Sequence, residues 1–230
     1  MSNQPKRADM KKSKPGRMVI ISSPSGGGKT SICRKLLSGA RRKAGWKFSV
    51  SYTTRAMRKG ERNGREYVFV TPEKFDQLAG ENFFAEYFPV HLYKYGTPRK
   101  PIEHLRKNGG VMLFDVDVQG AKRLHREYPD AVTIFVLPPS VQALRSRLKR
   151  RGTETAEQLR VRFENTKKEM QAVLRDKTYA FDYVVLNDVL ADAVDDVLAI
   201  VRAHRCRFEF LPMEQTGKML GYRGGPTAKE

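Results

Sequence analysis

Short unbroken apolar runs alternate with amphipathic stretches along this chain. Met18-Val19-Ile20-Ile21 is β-branched at three of its four positions and is closed by Ser22-Ser23-Pro24-Ser25-Gly26-Gly27-Gly28. Such a run predicts a strand buried on both faces of a parallel sheet. Residues 29–37 then carry Ile32, Leu36 and Leu37 at helical spacing. Phe48-Ser49-Val50-Ser51 reads as a strand, residues 53–65 as a basic, turn-rich stretch, Tyr67-Val68-Phe69-Val70 as a strand and residues 72–78 as a short helix. Residues 111–117 form a second buried strand ending in carboxylates, and residues 132–137 a third, stopped by Pro138-Pro139. Two basic helices follow from Ser140, broken at Gly152, and Thr155 with Gln158 makes a capping box for the second. Tyr183-Val184-Val185-Leu186 is the last strand. Leu190, Val194, Val197, Leu198 and Val201 make one face of a closing helix. Strand, Gly-rich loop and helix at the start predict a doubly wound α/β fold.

The 230 residues suit one medium α/β domain or a core with small inserted lobes. With 40% hydrophobic and 30% charged residues, the composition is that of a globular protein. The charge departs from the ordinary: 44 Lys and Arg against 25 Asp and Glu give a net +19. That excess fits nucleic acid, acidic lipid or a small substrate bearing several phosphates. Part of it lies in residues 1–16, a polar and turn-rich stretch that predicts a disordered basic tail. Another part lies between Arg145 and Arg162, in helical sequence that presents charge in fixed geometry. The two cysteines, Cys33 and Cys206, have no metal-type spacing and predict no disulfide framework. Neither an apolar span of membrane length nor a secretory signal is expected, so a cytoplasmic setting is.

Ser23-Pro24-Ser25-Gly26-Gly27-Gly28-Lys29-Thr30 follows a strand and opens a helix, the context that a phosphate loop requires. Its glycines let backbone N–H groups converge on phosphate oxygens, and the helix N-terminus adds partial positive charge. Lys29 would reach the β- and γ-phosphates, and the Thr30 hydroxyl would ligate Mg²⁺. Ser23 stands where the consensus has its first glycine. Asp115, at the end of a buried strand, is the candidate carboxylate that holds Mg²⁺ through water.

A phosphate loop alone leaves the second substrate open. Residues 48–58, Phe-Ser-Val-Ser-Tyr-Thr-Thr-Arg-Ala-Met-Arg, resemble the Ser-x-Thr-Thr-Arg-x-x-Arg segment of guanylate kinases. Gly60-Glu61-Arg62-Asn63-Gly64-Arg65-Glu66-Tyr67 continues that resemblance. So do Tyr95-Gly96-Thr97, residues 115–120 (Asp-Val-Asp-Val-Gln-Gly), Pro138-Pro139-Ser140 and residues 151–155 (Arg-Gly-Thr-Glu-Thr), in the same order. The resemblance covers about residues 17–205. It implies a P-loop doubly wound parallel sheet core with an inserted GMP-binding lobe and a helical lid. The core would span 17–50, 109–137 and 171–210, the lobe 51–108 and the lid 138–170, with residues 211–230 a flexible tail. It implies transfer of the γ-phosphoryl group of ATP to GMP, with Mg²⁺.

The implied ATP-binding set is Ser23, Pro24, Ser25, Gly26, Gly27, Gly28, Lys29, Thr30 and Ser31, with Asn187 after the last strand. The implied GMP-binding set is Ser51, Arg55, Arg58, Tyr67, Glu86, Tyr95, Thr97, Asp115 and Asp117. The chemistry agrees with it. A phosphate dianion calls for a fork of cations and hydroxyls, which Arg55, Arg58, Tyr67 and Tyr95 can supply. Guanine shows donors at N1 and the 2-amino group beside the O6 acceptor. Glu86 and Asp117 suit the donors, and Ser51 and Thr97 suit O6. Adenine reverses that pattern, and a site of this kind rejects such a mismatch by about 10⁴-fold. Arg147, Arg151 and Arg162 match positions that close over the triphosphate. With Lys29 and Arg58 they make the expected catalytic set, and one such arginine can be worth about 10³ to 10⁵ in rate.

Three rival readings stand beside this one. A non-catalytic guanylate-kinase-like module would bind phosphopeptides, but would be expected to have a damaged phosphate loop. A related P-loop kinase would act on another phosphorylated substrate, against which Glu86, Asp117 and Ser51 argue. Nucleic acid is not required; weak, salt-sensitive binding through the basic tail is left open. The sequence is compatible with a monomer or a homo-oligomer.

Overall fold

The computed structural model describes residues 16–90, 92–149, 156–175 and 181–207. In chain order the elements begin with β1 (Arg17–Ser22), α1 (Lys29–Leu36), α2 (Ala40–Lys43), β2 (Trp46–Phe48), β3 (Ser51–Thr53) and β4 (Tyr67–Phe69). Then come α3 (Pro72–Gly80), β5 (Phe84–Val90), β6 (Tyr93–Pro98), α4 (Arg99–Asn108), β7 (Val111–Asp115) and α5 (Val118–Glu127). The last are β8 (Val132–Leu137), α6 (Val141–Lys149), α7 (Ala156–Arg175), β9 (Tyr183–Leu186) and α8 (Leu190–His204).

Five strands pair in parallel in the order β2-β7-β1-β8-β9. Alternation along β1 explains its unbroken apolar run. Val19 and Ile21 face a core closed by Ile32, Cys33 and Leu36 of α1 and by Val194, Val197 and Val201 of α8. Met18 and Ile20 face the opposite core, closed by Ile102 and Leu105 of α4 and by Ala121 and Leu124 of α5. With helices on both faces the sheet is doubly wound, as the sequence predicts.

A second sheet, in the order β4-β3-β6-β5, mixes parallel and antiparallel pairing. Its small core is aromatic: Phe75 of α3 stacks on Phe84 with ring centroids 4.6 Å apart. The run of residues 48–51 predicted as one strand is divided between the two sheets. Ser49 makes the last backbone bond to the large sheet, to the Leu113 carbonyl at 2.9 Å, and Ser51 already pairs with Tyr67 in the small one. The strand predicted over residues 111–117 ends at Asp115, because Asp117 leaves it to cap α5. The helix starting at Pro72 extends two residues past Leu78. Sequence reasoning did not identify β5, β6, α4 or α5. Pro89, Gly96 and Pro98 interrupt the strand pattern, and α4 buries only Ile102 and Leu105. The capping box at Thr155, both tails and the block from Arg151 to Thr155 lie outside the described residues.

Candidate active site

The loop between β1 and α1 turns on glycines with left-handed backbone, Gly26 at φ +88 and Gly28 at φ +97. Both are also sites of close approach. A Cβ on Gly26 would lie 2.9 Å from Leu144 of α6, and one on Gly28 would lie 2.1 Å from Nδ2 of Asn187. The α6 helix and the loop are therefore packed in direct contact. The Asn187 amide donates to the Gly27 carbonyl at 2.8 Å, and Arg147 Nη2 donates to the Asn187 carbonyl at 2.8 Å. Ser23 Oγ donates to the Pro24 carbonyl at 3.0 Å, which tightens the start of the turn. Ser31, the third residue of α1, is exposed, and its N–H returns to the Gly28 carbonyl.

Parallel pairing brings Asp115 level with Ile21, at the same edge of the sheet as the loop. Its Oδ1 lies 3.1 Å from the Lys29 ammonium and its Oδ2 accepts from the Thr30 hydroxyl at 2.8 Å. Burial lowers the Lys29 pKa, but the neighbouring Asp115 outweighs it, so the net displacement is upward and Lys29 stays charged. Thr30 and Asp115 are hard oxygen donors held together, which suits Mg²⁺. Among the described residues no cluster of three or more His, Cys, Asp or Glu could bind a metal without other ligands.

The second sheet approaches this edge. Arg55 is buried under its own salt bridge: Nη2 lies 2.8 and 3.1 Å from the two Glu61 oxygens, and Nη1 donates to the Ala56 carbonyl at 2.7 Å. The guanidinium lies 5.5 Å from the ring centroids of both Tyr67 and Phe69. Tyr67 meets Tyr95 edge-on at 5.7 Å. Burial first, and then the charge of Asp115, pushes the Tyr67 phenol up to about 12. The Arg58 side chain is exposed, while its N–H donates to Glu61 at 2.8 Å. Glu61 thus organises both arginines. It was not singled out from the sequence, although it stands within the Gly60-to-Tyr67 block, and its two acceptor oxygens opposite Arg55 were the available signal.

Glu86 is buried on β5. The Thr97 hydroxyl donates to its Oε1 at 2.6 Å, and its Oε2 has no partner. Burial pushes its carboxyl up to about 7; the Thr97 bond opposes this and the charge of Asp117 adds to it. Asp117 caps α5 by accepting from the Gly120 N–H at 2.8 Å. Burial raises its pKa, against the Gly120 bond and the Lys29 charge. An orphaned, buried carboxylate oxygen with a second carboxylate nearby calls for a ligand with adjacent N–H donors. Ser51 is half-buried on β3, opposite Tyr67.

The structure therefore gathers Lys29, Thr30, Asp115 and Tyr67 at one edge, Arg55 with Tyr67 and Tyr95 beside them, and Glu86 with Thr97 near Asp117. Arg147 joins the loop. Arg162 lies on α7, and Arg151 falls outside the described residues.

A doubly wound parallel sheet with a glycine cradle, an invading lysine and a strand-end carboxylate defines a P-loop nucleotide-binding protein. A family model described as guanylate kinase matches residues 15–204. Guanylate kinase of Syntrophotalea carbinolica is 41% identical over 192 residues, covering 84% of this chain and 88% of that protein. Guanylate kinase of Rhodopseudomonas palustris is 42% identical over 195 residues, covering 84% of this chain and 85% of that one. A crystal structure of guanylate kinase from Anaplasma phagocytophilum superposes with a TM-score of 0.73 at 28% identity, covering 92% of this chain and 98% of that one. The chain belongs to the guanylate kinase family.

Proposed function

We propose that this protein transfers the γ-phosphoryl group of ATP to a phosphate oxygen of GMP, giving ADP and GDP, in the cytoplasm. Family membership supports the reaction, and the observation that carries the base assignment is Glu86. Its free Oε2, with Asp117 nearby, offers acceptors to guanine N1–H and the 2-amino group, while Thr97 is fixed on Oε1.

The residues divide the work by position. Backbone N–H groups of residues 25–30 and the α1 N-terminus cradle the ATP phosphates, with Lys29 on the β- and γ-oxygens. Arg55, Arg58, Tyr67 and Tyr95 hold the GMP phosphate, with Glu61 aiming the Arg55 fork. Thr30 would hold Mg²⁺ directly and Asp115 through water, and the ion would neutralise charge on the β- and γ-oxygens. No side chain serves as nucleophile. A GMP phosphate oxygen attacks the γ-phosphorus in line, the bond to the ADP oxygen breaks, and the three equatorial oxygens gather charge. Lys29, Arg58, Arg147, Arg151 and Arg162 would stabilise that charge, so catalysis is positioning and electrostatics.

A coupled ADP-release assay with ATP·Mg²⁺ and each of GMP, AMP, CMP and UMP tests the reading. Rapid turnover with GMP alone is expected. Folded protein that binds GMP without turnover would transfer the assignment to a phosphopeptide-binding module. The intact Lys29–Asp115–Thr30 arrangement argues against that module.

A further inference from the structure

The pole of the large sheet opposite the nucleotide site carries its own concentration of positive charge. Between residues 29 and 60 the sequence holds ten Lys and Arg and no Asp or Glu. Some of these belong to the active site. Others fall on α2 and β2, away from it: Arg41, Arg42 and Lys43 fill the last turn of α2, and Lys47 lies on β2, an edge strand of the sheet.

Beside them is a cleft of about 350 Å³ lined by Ala44, Gly45, Lys47, His104, Asn108 and the glycines 109 and 110, with Leu105 and Met112 at its floor. Lys107 is exposed in the adjoining last turn of α4. Arg17 enters β1 at the same rim, its N–H donating to the Gly110 carbonyl at 2.9 Å. Residues 1–15 join the described chain there, at Gly16, and their sequence contributes Lys6, Arg7, Lys11, Lys12 and Lys14 against Asp9 alone.

Arg41 is accounted for by the C-terminal end of α1, where it donates to the Leu36 carbonyl at 2.8 Å and the Lys35 carbonyl at 3.0 Å. Arg42 and Lys43 also lie in the last turn of α2, but Lys47 is on β2, and none of the three reaches a carbonyl of the described residues as Arg41 does. Their side chains are exposed, and none enters an ion pair or hydrogen bond among the described residues. Like charges held this close cost energy unless an anion neutralises them.

We infer that the basic surface around the cleft between α2, β2 and α4 binds the phosphodiester backbone of a nucleic acid, through Lys47 in the cleft and Arg42, Lys43 and Lys107 on the elements beside it, independently of GMP phosphorylation. Exposed cations on the elements around a cleft that Lys47 itself lines fit a chain of evenly spaced phosphates. A lipid surface fits less well. The large exposed apolar side chains among the described residues, from Met57 to Leu190, include none from α2, β2 or α4, so this face offers nothing to insert between lipids.

The test is fluorescence anisotropy of the full chain with labelled single-stranded RNA and DNA, from 50 to about 300 mM salt, beside the variant R42E/K43E/K47E. With a slope of about −0.7 per neutralised phosphate for single strands, the variant should lower the slope of log K against log salt by about 2. Its affinity should fall at least tenfold near 100 mM salt, by the same relation. GMP turnover of the variant serves as the folding control and should match the parent chain. Binding undiminished in the variant would overturn the inference, including the case in which neutralising Lys6, Arg7, Lys11, Lys12 and Lys14 alone abolishes it. Absence of binding at 50 mM salt, or binding to phosphatidylglycerol vesicles without binding to either nucleic acid, would overturn it too. None of these results bears on the GMP assay, so the two readings fail separately.

Discussion

The Thr97 hydroxyl donates to Oε1 of Glu86 at 2.6 Å across the β5–β6 pair, leaving the buried Oε2 of the same carboxylate unpaired. The folded carboxyl titrates at about 7, against an ordinary 4.5. Between those values the native state holds a proton that the unfolded chain has released. This group's stabilisation is therefore fully present below pH 4.5 and is lost as pH rises to about 7. Guanine's donors favour the ionised form, so GMP binding should release a proton below pH 7, and affinity should weaken toward tenfold per pH unit. Glu86→Gln should bind GMP more weakly and lose that component of the pH dependence. The GMP phosphate titrates in the same range in both proteins, so the difference isolates Glu86. Calorimetric titrations from pH 5.5 to 8 measure it, and parallel pH profiles for the two proteins would remove Glu86 from the base site.

Lys29→Ala and Arg58→Ala should each lower kcat/KM for GMP by at least about 10²-fold, since each removes a cation aimed at phosphate charge. Arg58 is exposed, and its removal should change stability by less than about 0.5 kcal/mol. Steady-state kinetics with a thermal melt separates lost chemistry from lost fold. Parent-level turnover in either variant would end its assigned role.

Glu61→Gln removes a carboxylate that holds the Arg55 fork at 2.8 and 3.1 Å and also accepts from the Arg58 N–H. Charge-assisted bonds of this kind are worth about 1.5 to 3 kcal/mol. The melting point should drop, and KM for GMP should rise about tenfold. KM for ATP should stay unchanged, because Glu61 touches nothing on the phosphate loop; a comparable rise in both constants would mean a general loss of structure.

Gly120 sets how closely α5 approaches β5. A Cβ there would lie 2.8 Å from the buried Phe88 ring and 3.3 Å from the Asp117 carboxylate. Gly120→Ala should cost about 1 to 3 kcal/mol by overpacking. Because Asp117 caps α5 and β5 carries Glu86, the separation of the two carboxylates should change, and GMP should lose more of its preference over IMP than the melt alone explains. Selectivity for GMP over IMP kept at the parent ratio would show that this contact is only structural.

Much of the large sheet was legible in the sequence, because its signals are local. The β-branched run of β1, the Gly-rich turn and the periodicity of α1 sit side by side in the chain, and β8, β9 and α8 announce themselves in the same way. The small sheet was less legible. Its strands β3 and β4 are three residues long, and β5 and β6 carry prolines, a glycine and a bulge near Glu86. Their pairing is decided by partners remote along the chain, such as Thr53 with Tyr95.

By itself the sequence determined the phosphate loop, the parallel core and, through a resemblance running over several blocks, the family, and with it the residues proposed to read guanine. Each rests on chemistry carried by neighbouring residues. Only the tertiary structure decided what those residues do to one another. It put Asp115 within reach of both Lys29 and Thr30, turned Asp117 from a strand residue into a helix cap, and made Glu61 the carboxylate that aims Arg55. It also left one oxygen of Glu86 unpaired in a buried site. The physical reason is that charge and hydrogen-bond energies depend on distance through space and on burial, and both are fixed only when segments remote along the chain are packed together.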